Sequence, residues 1–329
     1  MFFEASLRVS GAPAWDTIIE RNAWFQDRAC EQLEILARQR RAPAVLFAYS
    51  YAARRLFTVA RAHGWTTVLG QIDPGPVEER LVATLHQRHP SLAADWQPAP
   101  AGYWDNWREE WRLADRVVVN SEWSRAALRE EGVPESLIRI VPLAYEPTAT
   151  PCARDHAPRF DAGRPLRVLF LGQVNLRKGV AEVLEAAEQL RGEPVHFTFV
   201  GPLQITLTKT VRDSAQISWI GSVAHSAAAA HFESADVFLF PTHSDGFGLT
   251  QLEALAHGLP AIVSRHCARV ITHGVNGLVL DDVSGAAIAA SLRELLRDPS
   301  RLRAMSENAR IDPSHSLDAV GRQLLAAVQ

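Results

Sequence analysis

The sequence contains little cysteine and carries only a small net charge. Its 329 residues include three cysteines, Cys30, Cys152 and Cys267, which lie far apart and form no Cys-x-x-Cys pair. This pattern argues against a disulfide framework or a cysteine metal motif, and it fits free thiols in a reducing cytosol. The net charge of −3 provides no overall positive field for nucleic acid. We therefore expect a cytoplasmic protein with no nucleic-acid partner.

The sequence also lacks long apolar runs, targeting signals and repeats. No stretch reaches the roughly 18 apolar residues that a membrane span needs. The N-terminus has no basic region followed by a long apolar stretch, so it does not match a signal peptide. No segment repeats with a period of about 20 to 50 residues. There is also no Asp-x-Asp pair to hold a divalent cation, and we expect no metal and no other cofactor.

The remaining pattern predicts two doubly wound α/β domains. A chain of this length is expected to form about two domains of roughly 150 residues each, and 47% apolar residues can fill their cores. Apolar runs alternate with helical patterns, as parallel sheets require. Strands are predicted at 44–48, 66–70, 116–120, 138–142, 166–172, 195–201, 217–221, 236–240, 261–264 and 277–280. In the second half, helices are predicted at 179–191, 225–234, 249–257, 285–297, 299–309 and 313–329.

A segment with four prolines and one glycine and with few apolar residues, 146–165, separates the two halves and has the composition of a linker. We therefore predict a first domain at 1–150, a linker at 151–165, a second domain at 166–310 and a terminal helix at 311–329.

The most informative motif runs from Pro241 to Pro260 and follows a strand-like apolar run. It joins a glycine-rich loop to a helix, with one carboxylate in the loop, Asp245, and another in the helix, Glu253. Glycines let the backbone pass close to a ligand, and a helix N-terminus offers free N–H groups to an anion. The combination suits a phosphorylated ligand with hydroxyl groups. An ordinary α/β loop with a capping Asp is the alternative.

A second anion motif follows the first strand of the second half. Gly172 ends that strand, and Lys178 with Gly179 opens the next helix. Backbone N–H groups and a fixed positive charge can together bind an anion. The alternative for Lys178 is a solvated lysine at the start of a helix.

These motifs resemble the nucleotide-sugar site of retaining GT-B glycosyltransferases of family four. The family pattern is Glu, seven residues, Glu, written around Glu-Gly-Phe-Gly-Leu, and here Asp245 replaces the first Glu. Relatives place a lysine on the donor diphosphate at the position of Lys178. They usually have Arg where this chain has Gln173, and Arg177 is a candidate to supply that charge. The resemblance extends over roughly residues 115 to 310 and is specific within 166 to 280.

The resemblance implies a GT-B fold with the active site between two Rossmann-like domains. It also implies a metal-independent hexosyl transfer from a UDP- or GDP-sugar, with retention, to a glycan or lipid-linked saccharide. Glu253 would hold the ribose hydroxyls, Asp245 would orient the sugar, and Lys178 would stabilise the leaving diphosphate. The expected donor-binding residues are Gly172, Gln173, Arg177, Lys178, Gly221, Gly246, Phe247, Gly248, Leu249, Thr250 and Glu253.

The first domain departs from the family pattern. Four strands are predicted before the linker, where the family has six or more, and nothing before Ala44 reads as a strand with a glycine-rich loop. A misplaced start codon, a truncated chain or a reduced domain would each explain this. Relatives often have a His near residue 71 that contacts the transferred sugar. Here Gln71 and Asp73 are the polar candidates, and Asp73 is the third predicted catalytic residue. A Pro-Gly loop with a structural Asp is the alternative.

Aromatic and histidine patterns in the first half allow further interpretations. Trp104, Trp107 and Trp111 share one helix face, which indicates a core or domain contact and, alternatively, an acceptor or membrane contact. The same membrane-peripheral alternative applies to the segment 15–28, with its Trp, Phe and Arg residues. His86 and His89 have a spacing seen in metal sites, but no third ligand is evident, so surface histidines are expected.

Two other functions remain open from the sequence. One is a sugar-nucleotide epimerase or phosphorylase on the same scaffold. The other is a weakly active nucleotide-sugar-binding partner of a full-length transferase, suggested by the reduced first domain and by the changes at Gln173 and Asp245.

Overall fold

The structure is a computed structural model, and it describes residues 14–39, 44–147, 154 and 156–329. Within them, two separate parallel sheets are each flanked by helices. The first 13 residues and part of the predicted linker, including Cys152, lie outside the described residues.

The first sheet is built from four strands in chain order, all paired in parallel. The strands are β1 (Val45–Tyr49), β2 (Thr66–Gln71), β3 (Arg116–Val119) and β4 (Ile138–Ile140). The helices are α1 (Ala14–Gln39), α2 (Arg54–Ala62), α3 (Pro76–Arg88), α4 (Tyr103–Leu113) and α5 (Glu122–Glu130). The long helix α1 was not predicted from the sequence.

The second sheet has six parallel strands in the order β10-β9-β8-β5-β6-β7. The strands are β5 (Leu166–Leu171), β6 (Val195–Val200), β7 (Ile217–Gly221), β8 (Val237–Phe240), β9 (Ala261–Val263) and β10 (Gly277–Val279). The helices are α6 (Val180–Gln189), α7 (Lys209–Arg212), α8 (His225–Ser234), α9 (Thr250–Ala256), α10 (Gly285–Arg297), α11 (Pro299–Glu307) and α12 (Leu317–Val328). Each of the ten predicted strands overlaps one of these strands.

The C-terminal helix α12 covers one face of the first sheet. Strand residues point alternately to the two faces, so Val117 and Val119 enter the core under α2 and α4, whereas Val118 faces the other way. On that second face, Val118 packs with Val320 and Leu324 of α12. The last helix therefore completes the layered packing of the first domain and ties the two halves of the chain together.

The strand order of the second sheet determines where its loops meet. β5 is paired with β6 on one side and with β8 on the other, so the direction of strand progression reverses between β5 and β8. The carboxyl ends of the strands at such a reversal form a crevice that commonly binds ligands. The loops that leave β5 and β8 carry the two motifs singled out in the sequence.

Candidate active site

The loops after β5 and β8 contact each other closely at Gly179. The β5 loop forms a short 3-10 turn, Leu176–Lys178, in which the Asn175 side chain accepts a hydrogen bond from the Lys178 amide at 3.1 Å. Gly179 then adopts a φ of +81°, and a Cβ there would collide with the carbonyl oxygen of Pro241 in the β8 loop. Only glycine allows this close approach, which places Lys178 against the loop that contains Asp245.

Lys178 and Asp245 form an ion pair between their Nζ and Oδ2 atoms. Both side chains are largely buried, with exposures of 14% and 16%, and Lys178 Nζ also lies 4.9 Å from the centre of the Phe240 ring. Burial lowers the pKa of Lys178, while the charge of Asp245 opposes that shift. The pair provides a positive group and a carboxylate at the crevice, in a position where an anionic ligand would compete with Asp245 for Lys178.

The glycine-rich loop before α9 is held mainly by its own backbone and by Gln251. Asp245 Oδ1 accepts a hydrogen bond from the Phe247 amide at 3.1 Å. The buried Gln251 side chain donates to the Phe247 carbonyl at 3.0 Å. Gly248 has a φ of +80°. The first amides of α9 that bond back along the chain are those of Gln251 and Leu252, so the amides just before them are left at the open end of the helix.

A chain of polar contacts crosses from the first domain to this loop. Ser244 Oγ donates to Glu78 Oε2 at 2.7 Å and accepts from Trp123 Nε1 at 3.0 Å. Arg177 Nη1 donates to the Ser244 carbonyl at 2.7 Å and lies 3.5 Å from Glu78 Oε2. Burial raises the pKa of Glu78, and the charge of Arg177 counteracts this. These contacts connect the β8 loop with α3 and α5.

Ser121 makes a second connection across the domains. It caps α5, accepting a hydrogen bond from the Ser124 amide at 3.1 Å, as its position in the sequence predicted. Its hydroxyl also donates to the Gly246 carbonyl at 2.5 Å. A Cβ on Gly246 would collide with the Ile72 carbonyl. The glycine-rich loop is therefore packed directly on the ends of β2 and β3.

Asp73 lies at the end of β2 in a compact polar cluster. Its Oδ1 accepts hydrogen bonds from the Tyr51 hydroxyl at 2.5 Å, Gln71 Nε2 at 3.1 Å and the Gly75 amide at 2.8 Å. Burial raises the pKa of Asp73, and these hydrogen bonds and the charge of Arg177 oppose the shift. Tyr51 has a φ of +74°, which is rare for a residue other than glycine.

The buried Glu110 holds the backbone of this cluster. It accepts hydrogen bonds from the amides of Tyr51 and Ala53 at 2.7 and 2.8 Å. Burial raises its pKa to about 7. Glu110 thereby fixes the turn that presents Tyr51 to Asp73.

A cavity of about 700 Å³ opens beside these groups, between the two domains. Asp73, Glu78, Tyr51 and Trp104 line it from the first domain, and Arg177 lines it from the second. The cavity thus connects the polar cluster around Asp73 with the loop that carries Lys178.

The other predicted donor residues occupy different surroundings. Glu253 is half-buried on α9, and burial raises its pKa. The Phe247 side chain is buried against Tyr145, Leu252 and Ala268, so only its backbone is available to a ligand. Gly172 directly follows β5 and Gly221 is the last residue of β7, both with positive φ. Gln173 and Leu249 are exposed, and Thr250 begins α9.

Several residues at the crevice were missed in the sequence. Glu78 and Tyr51 act through contacts between segments far apart in the chain, and no local motif marks them. Ser244 and Gln251 lie within the Pro241–Pro260 motif, but the sequence did not single them out. The expectation of surface histidines was wrong for His89, whose side chain is 15% exposed and lies 3.7 Å from Glu182. His86 is partly exposed and lines the cavity beside Trp96.

The tryptophan patterns are also clarified by the structure. Trp107 is buried in the core of the first domain with Trp104 and Trp111 packed against it, as the helical spacing predicted. Trp15 donates from Nε1 to the Gln97 carbonyl at 3.0 Å and lines the cavity, whereas Trp24 is 45% exposed on α1.

In the described part of the chain, no helix combines the length and apolar character that a membrane crossing requires. No group of three or more His, Cys, Asp or Glu side chains among the described residues is arranged to hold a metal ion. Cys30 and Cys267 are free thiols.

Two family models match most of the chain. The model described as Glycosyltransferase Family 4 matches residues 36–148, and the model described as Glycosyl transferases group 1 matches residues 154–312. Together they span both sheets and both motif loops.

Relatives with related names align with large parts of the chain. A D-inositol 3-phosphate glycosyltransferase from Pseudarthrobacter chlorophenolicus is 29% identical, over 79% of this chain and 67% of that protein. A glycogen synthase from Mycobacterium tuberculosis is 27% identical, over 77% of this chain and 63% of that protein.

Solved structures share the fold. Anabaena Alr3699/HepE in complex with UDP superposes with a TM-score of 0.66 at 14% identity, covering 90% of this chain and 81% of that one. The sucrose-phosphate synthase from Thermosynechococcus elongatus gives a TM-score of 0.69 at 18% identity, covering 96% of this chain and 81% of that one. At these identities the likeness establishes the architecture of the two sheets.

Proposed function

The chain belongs to the GT-B glycosyltransferases of family four, and on that premise we propose that it transfers a hexose from a UDP- or GDP-sugar to a hydroxyl of a saccharide or lipid-linked saccharide, with retention. The observation that carries this proposal is the buried pair of Lys178 and Asp245 at the strand reversal, beside a cavity between the domains. Solved neighbours bound to UDP and UDP-glucose, and a relative named for GDP-mannose, support the donor class.

The donor diphosphate is proposed to lie between Lys178 and the open end of α9. Binding there replaces the contact between Lys178 and Asp245, and the ammonium group then faces the oxygens of the diphosphate. Charge that grows on the leaving group is stabilised by groups already in place. Glu253 on α9 holds the ribose hydroxyls, and Arg177 supplies the positive charge that Gln173 does not.

In the transfer step, the bond between the anomeric carbon and the diphosphate oxygen breaks, and its electron pair stays on the diphosphate. The acceptor oxygen forms the new bond to the anomeric carbon, and its proton leaves with the nucleoside diphosphate. Asp245, released from Lys178, orients the sugar. Asp73 accepts a hydrogen bond from the acceptor hydroxyl at the cavity wall. No metal is required in this scheme, because Lys178 and backbone amides provide the stabilising charge.

The free thiols and the exposed aromatic residues of α1 bear on where the protein is located. We place it in the cytoplasm, where free thiols and nucleotide sugars both fit. A peripheral membrane contact would use α1, on which Trp24 and Phe25 are 45% and 49% exposed. That helix carries five acidic and three basic side chains, so its charge does not favour anionic lipid. Flotation with neutral and with anionic vesicles tests this contact, and recovery with neither would eliminate it.

The test of the proposed function is turnover by the full chain. Radiolabelled UDP- and GDP-sugars are incubated with a panel of saccharide acceptors, and new glycoside and free nucleoside diphosphate are measured. We expect the two products in equal amounts and their loss in Lys178→Ala. An epimerase would instead convert the donor without releasing diphosphate. A binding partner would retain the donor without turnover, and either result would overturn the proposal.

A further inference from the structure

The cavity between the domains has a wall chemistry that constrains the acceptor. It lies next to the loop of Lys178, and Asn175, Arg177 and Gln204 close it from the second domain. A volume of about 700 Å³ is in the range of small-molecule sites and can hold one or two sugar rings. The acceptor hydroxyl has to reach the transferred sugar beside these residues if the proposed function holds.

Aromatic side chains form much of the wall on the first-domain side. Trp15 and Tyr103 meet edge to face with their ring centres 4.9 Å apart, and Trp104 meets Tyr103 at 5.1 Å. Trp96 lies on the same cavity, 5.3 Å from His86. Rigid rings of this kind provide apolar surface for the C–H faces of a sugar and can also contact a cation.

The charges on the wall are predominantly negative. Asp73, Glu78, Glu79 and Asp95 all line the cavity, and among the described residues of its lining Arg177 is the one Arg or Lys. Arg177 pairs with Glu78 and so offsets one of these charges, which leaves the carboxylates of Asp73, Glu79 and Asp95 in the described lining. A phosphate or carboxylate on the acceptor would therefore meet repulsion from nearby carboxylates.

Two of these carboxylates are fixed in position by their own hydrogen bonds. Glu79 accepts from Trp104 Nε1 at 2.9 Å and from the Ala99 amide at 2.7 Å. Asp73 is held by Tyr51, whose ring also stacks on Tyr103 at 5.5 Å. Carboxylates held in this way can accept hydrogen bonds from hydroxyl or ammonium groups without further ordering.

We infer that this cavity binds a saccharide acceptor bearing an amino group and discriminates against acceptors bearing a phosphate or carboxylate. The inference rests on the proposed function, because it assigns the cavity to the acceptor. It concerns the charge of the acceptor ring and leaves the donor unchanged.

The test compares three forms of one sugar: the methyl 2-amino glycoside, the neutral methyl glycoside and its 6-phosphate. The comparison is made separately in the gluco, galacto and manno configurations. The full chain is saturated with nucleoside diphosphate, and sugar binding is followed by the change in tryptophan fluorescence. Trp15, Trp96 and Trp104 line the cavity, so a bound sugar should alter this signal. In at least one configuration we expect the amino sugar to bind several-fold more tightly than the neutral sugar and about tenfold or more tightly than the 6-phosphate.

Two kinds of result would overturn the inference. One is a phosphorylated or neutral sugar that binds as tightly as the amino sugar in every configuration. The other is no amino sugar binding in any of the three. Nucleotide binding in the same samples keeps the two proposals apart, since its absence would count against the proposed donor site and its presence leaves that site intact.

Charge reversal at the edge of the cavity provides a second measurement. Asp95 is exposed, so Asp95→Lys is expected to fold and to reduce the preference for the amino sugar several-fold. Asp213→Lys makes the same charge change at an exposed position outside the cavity and is expected to leave the preference as it is. Equal preferences in the two variants would show that the wall charge does not select the acceptor.

Discussion

Replacing Lys178 with alanine should weaken binding of the nucleoside diphosphate by about tenfold to a hundredfold. The ammonium group lies on a side chain that is 14% exposed, so water replaces it poorly. Loss of a charge-assisted hydrogen bond costs about 1.5–3 kcal/mol, which corresponds to that range of dissociation constants. Isothermal titration with UDP and GDP measures the change directly.

Asp245→Asn is expected to behave differently from Lys178→Ala. The aspartate competes with the diphosphate for Lys178, so its neutralisation should leave nucleotide affinity unchanged or increase it. Turnover should fall, because the charge that orients the reacting sugar is lost, and Asp245→Glu should keep or raise activity as the usual residue of the family. A marked loss of nucleotide affinity in Asp245→Asn would contradict this division of roles.

The chain offers a clean control for the lysine. It contains two lysines, Lys178 and Lys209, and Lys209 is exposed at the start of α7. Lys209→Ala should leave nucleotide affinity unchanged. Lys178→Ala also leaves Asp245 buried without its partner, which destabilises the fold. The double variant with Asp245→Asn should recover thermal stability without recovering affinity. Unaltered nucleotide affinity in folded Lys178→Ala would show that Lys178 does not bind the diphosphate.

Three further predictions follow from single positions. Glu253→Gln should raise the donor KM and spare kcat in steady-state kinetics, because a ribose contact is made equally before and during the reaction; a fall in kcat alone would contradict this. Gly246→Ala should lower the melting temperature and slow turnover, because its Cβ would collide with the Ile72 carbonyl, whereas Gly321→Ala, in open space, should be neutral or stabilising. Glu110 has a pKa of about 7 in the fold against a usual value near 4.5, so the folded chain binds more protons. Its contribution to the free energy of unfolding should therefore fall by at most about 3 kcal/mol as pH rises from 4.5 to 7. Urea unfolding of wild type and Glu110→Gln across that range measures the fall, and parallel curves would refute it.

The strands and the paired motifs could be predicted because their signals are local. Apolar runs such as Val117 to Val119 mark buried strands, and Ser121 marks a helix start. The pairing of β5 with β8 brings Lys178 to Asp245, and that pairing depends on the order of strands in space. The sequence therefore identified both residues without showing that they form an ion pair.

The contacts between the domains were beyond sequence reasoning for a similar reason. Ser244 meets Glu78 across 166 positions in the chain, and although Ser244 lies in the Pro241–Pro260 motif, no residue pattern pairs it with Glu78. Tyr51 adopts a positive φ that no residue pattern signals. The helix α1 was missed because its apolar residues do not form a continuous stripe along one face. Leu33 is its one buried residue.

A crystal structure of the full chain with a bound nucleoside diphosphate would show directly whether Lys178 binds the diphosphate. We expect diphosphate oxygens within about 3 Å of Lys178 Nζ and at the amides that open α9, with the ribose at Glu253 and the contact of Lys178 with Asp245 broken. A nucleotide bound elsewhere, with Lys178 still paired to Asp245, would contradict this expectation.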